Sequence, residues 1–305
     1  MNIIAALVPI FFLIILGHIL RRRALVADAF WEPAEKMTYF VFFPSLLITS
    51  TARIQLDFVS IGPMVAANVT AVLVVAGLVI STRPHIGVSG PAFTSIFQGA
   101  IRPNSYVGIA AGLMLFGEAG LGLIAALLAV IVPLVNFLSV IVLAHYVDQA
   151  NGGPGMKKLV RPIITNPLIV SCFIGILLNV TGVGLPPVLG PLLDILGKAA
   201  LPVGLLAVGA GLNFRALHGA MPVMSAVTIT KLCLLPFVTW LAGRAFGVEG
   251  FALVAAVLYS SLPGSPSSYV LARQMGGDAE LTAGIITLTT LGAMVAMPLA
   301  IVILG

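Results

Sequence analysis

Arg102-Pro103-Asn104-Ser105-Tyr106-Val107 and Pro266-Ser267-Ser268-Tyr269-Val270 are two versions of one stretch, matching at Pro, Ser, Tyr and Val when the chain is offset by 163 residues. The second is preceded by Leu262-Pro263-Gly264-Ser265. Each lies near the centre of an apolar run long enough to span a bilayer. Proline removes a backbone donor and clashes with the preceding turn, and glycine loosens the chain further, so both runs are expected to be broken at mid-depth. Lipid offers no partner to freed backbone groups, which are tolerated only where protein or a wet cavity meets them. The breaks therefore point inward. The second half-helices should begin near Asn104 and Ser267, each presenting a partly positive N-terminus suited to an anion. A plain structural kink is the alternative; two breaks at equivalent positions, flanked by Ser, Asn and Tyr, favour a binding site.

Outward from these stretches the same self-similarity continues. An offset of 158 places Pro9 on Pro167, Gly17 on Gly175 and Pro44 on Pro202, and an offset of 159 places Pro63 on Pro222. The drift is small and monotonic, as loop insertions produce. Ten apolar spans emerge, at about 2–20, 34–52, 61–80, 89–116, 120–146, 161–181, 189–212, 219–241, 250–275 and 279–304. The expected organisation is a first repeat over 1–146, a short cytoplasmic linker over 147–160 and a second repeat over 161–305. Five spans is an odd number, so the second half enters the membrane from the opposite face, an inverted repeat of the kind transporters use.

Composition agrees with this reading. Of 305 residues 60% are hydrophobic and only 8% charged, against roughly 25% charged in soluble domains. A water-soluble fold is excluded. The pI near 9.5 does not point to nucleic acid, because the basic residues are scattered between apolar runs. Arg21, Arg22, Arg23, Lys36, Arg83, Lys157, Lys158, Arg161, Arg215 and Arg273 fall on one side of the expected membrane and only Arg53 and Arg244 on the other. The positive-inside rule then puts both termini outside the cytoplasm of a cell membrane, with a bacterial inner membrane expected. The run 3–20 lacks a basic n-region and is followed by three arginines, so it reads as a first membrane helix and not a signal peptide. Cys172 and Cys233 lie in apolar stretches and read as packing residues. His18, His85, His145 and His218 sit at helix ends or loops, where interfacial histidine is ordinary; no metal ligand set, catalytic group or cofactor is expected.

Charge within the spans gives the sign of the ligand. Arg102, Lys231 and, less deeply, Lys198 are intramembrane cations, whereas the acidic residues lie in connections or outer turns. A buried cation needs a partner or a function. Lys198 has Asp194 at i−4. Lys231 has no local partner, and snorkelling, pairing across helices and meeting substrate all remain open. Asn136, isolated among apolar neighbours, is inter-helix glue or a ligand contact. The candidate substrate-binding residues are Arg102, Pro103, Asn104, Ser105, Tyr106, Asn136, Lys231, Pro263, Gly264, Ser265, Pro266, Ser267 and Ser268.

With Pro-Asn-Ser at 103–105 followed by Val107 and Gly108, Leu262-Pro263 opening the ninth span's break, Ala272 and Arg273 closing it, and Pro298 in the last span, the chain resembles the auxin efflux carrier family over nearly its full length. The resemblance implies an all-α membrane protein in which helices four and nine cross at their breaks. It implies a scaffold of helices one, two, six and seven, a transport domain around three to five and eight to ten, and elevator-like movement of a small organic anion held at the crossing. A homodimer through the scaffold helices is a candidate assembly, with lipid as the surrounding partner. Two departures stand out: the central hydrophilic loop is reduced to about 147–160, and basic Arg102 stands where the plant pattern is apolar, which suits a more anionic substrate than auxin or a different coupling mode. Ser265, Ser267 and Ser268 without a nearby Asp or Glu argue against a sodium-coupled symporter of the bile-acid carrier type, and no mid-depth carboxylate supports a proton relay; electrogenic uniport stays open. A ligand sensor is a further alternative. An intramembrane enzyme fails on parts, since H-E-x-x-H, G-x-S-x-G and paired membrane aspartates are all missing.

Overall fold

The computed structural model describes residues 3–53, 58–147 and 166–305, and apart from one isolated bridge every regular element in them is helical. In chain order they are α1 (Ile3–Arg22), α2 (Asp28–Met37), a π-helical turn (Thr38–Phe42), α3 (Phe43–Arg53), α4 (Phe58–Thr82), α5 (Gly90–Ile101), α6 (Ser105–Val147), α7 (Pro167–Val180) and α8 (Leu189–Ala210). A 3-10 turn (Phe214–His218), α9 (Met221–Ile229), a second π turn (Thr230–Leu234), α10 (Leu235–Ala245), α11 (Gly250–Ser260), α12 (Pro266–Met275) and α13 (Ala279–Leu304) follow. The linker residues 148–160, with Lys157 and Lys158, and Arg161 at the start of the sixth expected span lie outside the described residues.

Among the described residues six helical stretches are long and apolar enough to cross a membrane by themselves: Ala5–Arg22, Ile61–Thr82, Ser105–Val147, Leu189–Ala210, Met221–Ala245 and Ala279–Leu304. They correspond to six of the ten expected spans. The other four take a different form. The second is shared by α2, the π turn and α3, the described part of the sixth is the 14-residue α7, and the fourth and ninth are each divided between two helices. The stretch α6 is two helices divided at Gly117 (φ 63°, ψ −153°), a non-helical conformation that glycine tolerates, and the division falls in the expected gap between spans four and five.

Two compact units interleave along the chain. The first gathers Met1–Phe58, Tyr106–Ala129 and Ile163–Leu212. Within it α1 lies along α8, and α3 packs on α7 and α8, at contacts made by glycine: a Cβ on Gly17 would strike the Leu206 carbonyl, and one on Gly209 the Ile14 carbonyl. In lipid there is little hydrophobic drive between helices, so close backbone approach through small residues supplies the attraction as dispersion. Polar contacts fix the register. Arg21 Nη1 donates to the Ala210 carbonyl (2.8 Å), Asn179 Nδ2 to the Ala52 carbonyl (2.9 Å), and Arg53 meets both carboxylate oxygens of Asp194 (2.9 and 2.7 Å). That last pair corrects the expected Asp194–Lys198 contact. Asp194 faces a planar guanidinium that engages it bidentately, while Lys198 is exposed. Cys172 is buried as packing, its thiol against the Ala125 carbonyl (3.7 Å).

The second unit gathers Val59–Ser105, Val130–Pro162 and Asn213–Gly305. Here α13 is the central post, touching α5, α9, α10, α11, α12 and both flanking turns. Asp278 caps α13 through the Leu281 N–H (2.9 Å), and its carbonyl accepts from Ser95 Oγ (2.8 Å), so the starts of α5 and α13 are joined. Apolar side chains such as Leu73, Leu78, Val295 and Val302 are exposed, a surface that hydrocarbon solvates and water does not.

Candidate functional site

Two non-helical links in the second unit, residues 102–104 between α5 and α6 and residues 261–265 between α11 and α12, meet as a short antiparallel bridge, Pro103 opposite Gly264. Asn104 N–H donates to the Pro263 carbonyl (2.9 Å). That N–H is thus held by protein and is not offered to a ligand. Pro103 suits its place because an antiparallel pair contains positions whose N–H points away from the partner strand, where a missing donor costs nothing. Gly264 obeys the same geometry: its N–H turns away to Thr289 Oγ1 (3.1 Å) on α13, whose hydroxyl in turn donates to the Ile285 carbonyl (2.7 Å). A Cβ on Gly264 would sit 3.1 Å from that same hydroxyl, so the close approach selects glycine.

Arg102 ends α5 in an extended conformation (φ −83°, ψ 118°) and is 5% exposed. Its Nη1 donates to Gln98 Oε1 (3.0 Å), and its Nη2 to Asn136 Oδ1 (2.6 Å) and Ser267 Oγ (3.0 Å). Ser267 Oγ also lies 2.8 Å from Ser265 Oγ. One guanidinium therefore ties α5, α6 and α12 together. These acceptors are neutral, so the bonds orient the guanidinium and satisfy donors without cancelling its charge. Because Gln98 Oε1 faces the arginine, the amide orientation is set and Nε2 points elsewhere. Gln98 is fully buried, and its Nε2 makes no hydrogen bond among the described residues; the same holds for buried Ser268 Oγ. Buried polar groups are nearly always paired, so the unpaired Nε2 of the residue that holds Arg102 marks a place where something polar belongs.

Of the residues singled out in the sequence, Arg102, Asn136, Ser265 and Ser267 form one network, and Pro103, Asn104, Pro263 and Gly264 form the bridge. Ser105 and Pro266 open α6 and α12. Asn136 is a partner of Arg102. Tyr106 departs: it belongs to the first unit, where its ring stacks on Phe43 at 4.6 Å and 13°. Lys231 is fully buried in the π turn Thr230–Leu234, which rules out snorkelling. It lines a cavity of about 10 Å³ with Asn68, Ile101, Pro103, Thr239, Tyr259 and Ser260, and its Nζ makes no hydrogen bond among the described residues. Gln98 and Thr289 were missed. Gln98 carried a signal, since it sits at i−4 from Arg102 on the same helix; Thr289 had none, being 25 residues from Gly264.

Comparison with known proteins follows the same direction. Residues 155–301 match the family described as membrane transport protein. A Methanothermobacter thermautotrophicus protein named "Uncharacterized transporter" is 23% identical over 299 residues, covering 96% of this chain and 95% of its own. A Rhizobium meliloti protein named "Putative malonate transporter" is 26% identical over 305 residues, covering 95% of this chain and 92% of its own. The family match lies in the second half of the chain and takes in residues 262–263, and over nearly its full length the chain is similar to proteins named as transporters.

Proposed function

We propose that this protein carries a small organic anion with a carboxylate head group across the cell membrane, and that the anion is bound beside Arg102. The observation that carries the reading is the buried, oriented guanidinium of Arg102, with the Nε2 of its partner Gln98 left without a hydrogen bond among the described residues. A carboxylate accepts charge-assisted hydrogen bonds from such a set. The relative named for malonate supports a short carboxylate as the substrate class.

In this reading the two links are breaks in the fourth and ninth of ten membrane crossings, related by the inverted repeat, and they cross at mid-depth. Arg102, Asn136, Ser265, Ser267 and the bridge all belong to the second unit, which suits an elevator: the unit that binds the anion carries it. The network also disfavours sodium at this place, because Ser265 and Ser267 hydroxyls cluster beside a guanidinium that would repel a cation. Both termini face away from the cytoplasm, and a reporter fused after Gly305 that proved cytoplasmic would reverse that assignment.

The test is Arg102→Gln. Malonate affinity, measured by calorimetry on purified protein, should fall about 10- to 100-fold, the ~1.5–3 kcal/mol of a hydrogen bond to a charged group. Arg102→Lys should recover part of the loss, since it keeps the charge but not the planar fork. Unchanged affinity in a folded Gln variant would leave Arg102 as a purely structural tie.

A further inference from the structure

The Lys231 cavity lies on the other side of the first link from the Arg102 network. Ile101 and Pro103 both line it. Arg102, between them and extended, sends its side chain the opposite way, to Gln98, Asn136 and Ser267. The two buried cations therefore occupy separate places.

Among the described residues no acidic side chain lines the Lys231 cavity, whose walls from α4, α6 and α11 are Asn68, Val72, Ile131, Tyr259 and Ser260. The Lys231 π turn contacts α5, α9, α10 and α13. Neither α5 nor α9 contains a charged residue. The charged group of α10 is Arg244 in its last turn, a like charge. On α13 the acidic residue is Glu280 in the first turn, whereas the part of α13 beside the π turn is at Gly292, where a Cβ would meet Leu232. Twelve residues of helix separate the two, about 18 Å. A water in the cavity can accept a hydrogen bond from Nζ, but it does not offset a charge. A buried ammonium without an opposite charge is strongly disfavoured.

We propose that this cavity is a second anion site, distinct from the one at Arg102, that takes one small inorganic anion of halide size. Its volume of about 10 Å³ holds roughly one water, which admits a monoatomic anion with slight side-chain adjustment and not a two-carboxylate molecule. The donors are the Lys231 ammonium and the Asn68 amide, one of whose N–H groups is committed to the Met64 carbonyl (3.1 Å) while the other is left for the cavity. Thr239 and Ser260 hydroxyls donate to their own helices, to the Leu235 and Val257 carbonyls, and serve as walls. The carrier would thus hold an inorganic anion on one side of the link and an organic one on the other.

The probe is chloride, and the measurement is the melting temperature of the detergent-purified full chain in sodium chloride against sodium gluconate at equal ionic strength. Chloride should raise it by several degrees, saturably, because a ligand of the folded state stabilises it by mass action. The rise should vanish in Lys231→Met and persist in Arg102→Gln. Methionine is apolar and of similar length, so that variant is expected to fold; should it not, Asn68→Leu keeps the lysine and should weaken the chloride midpoint several-fold. No chloride effect in the wild type, or an undiminished effect in Lys231→Met, overturns the proposal. A Lys231-dependent rise produced by malonate and not by chloride overturns it too, by giving the cavity to the substrate's own carboxylate. Loss of malonate binding in Arg102→Gln with the chloride effect intact keeps the two readings separate.

Discussion

Replacing Gln98 by Glu converts a neutral acceptor of Arg102 into a carboxylate at the same place. The existing contact is 3.0 Å, from Nη1 to Oε1, so the new group pairs with the guanidinium inside a site where both residues are buried. Two effects on a bound anion follow. The positive field is largely cancelled, and the anion meets a like charge about 4 Å away, worth about 4 kcal/mol at an effective dielectric constant near 20. Part of that is offset because Arg102 lies between the two carboxylates, so about 3 kcal/mol is a fair expectation, roughly 100-fold in affinity. Folding should respond in the opposite direction. The change removes the unpaired Nε2 donor, whose burial costs about 1–3 kcal/mol, and supplies the arginine with a counter-charge. Calorimetry with malonate and a melting curve on the same sample read both. The expected signature is binding lost with thermal stability held or raised. Gln98→Leu should behave differently, losing stability because the bond from Arg102 Nη1 to Gln98 Oε1 is lost. Malonate affinity within threefold of wild type in a folded Gln98→Glu variant would refute the placement of the anion beside this pair.

Further outcomes follow from backbone contacts. Gly209→Ala should destabilise by about 1–3 kcal/mol, since its Cβ falls on the Ile14 carbonyl and α1 must move away, whereas Gly77→Ala, with open space around it, should be neutral or gain up to about 1 kcal/mol in helix propensity; chemical denaturation of the two side by side decides. Thr289→Val leaves the Gly264 N–H without its acceptor and should cost about 1–3 kcal/mol together with transport rate, while Thr289→Ser should restore both; equal behaviour of the two variants would make the hydroxyl irrelevant.

What the sequence disclosed was what single residues enforce. Pro103 and Pro263 stand in non-helical links, at 102–104 and 261–265, and Pro266 opens the helix that follows the second, the one helical position where its missing N–H costs nothing. The buried cations Arg102 and Lys231 were legible because charge in an apolar run is conspicuous. Pairings across the fold were not. Asn136 reads as glue or ligand contact until Arg102, 34 residues away, is seen to reach it. Asp194 has a lysine one turn along, yet Arg53, 141 residues distant, takes it through a bidentate geometry no local rule encodes. Tyr106 was drawn into the site by adjacency to Ser105, but each step along a helix turns the side chain by about 100°, and this ring finds Phe43. The division between spans four and five was legible, since the non-helical Gly117 falls in the gap between 116 and 120.

The bridge between Pro103 and Gly264 makes the two links a single unit of inheritance. A change that lets α5 run on into α6 withdraws the Asn104 N–H from the Pro263 carbonyl and deprives the second link of its partner, although its own sequence is untouched. Damage at one link is therefore repairable at the other. In a growth selection for transport, second-site revertants of a Pro103→Leu strain should concentrate around residues 261–268, some 160 positions downstream, and scatter little elsewhere. Evolution working on such a pair is expected to have tuned the two segments together, so that neither can be transplanted between relatives without its counterpart.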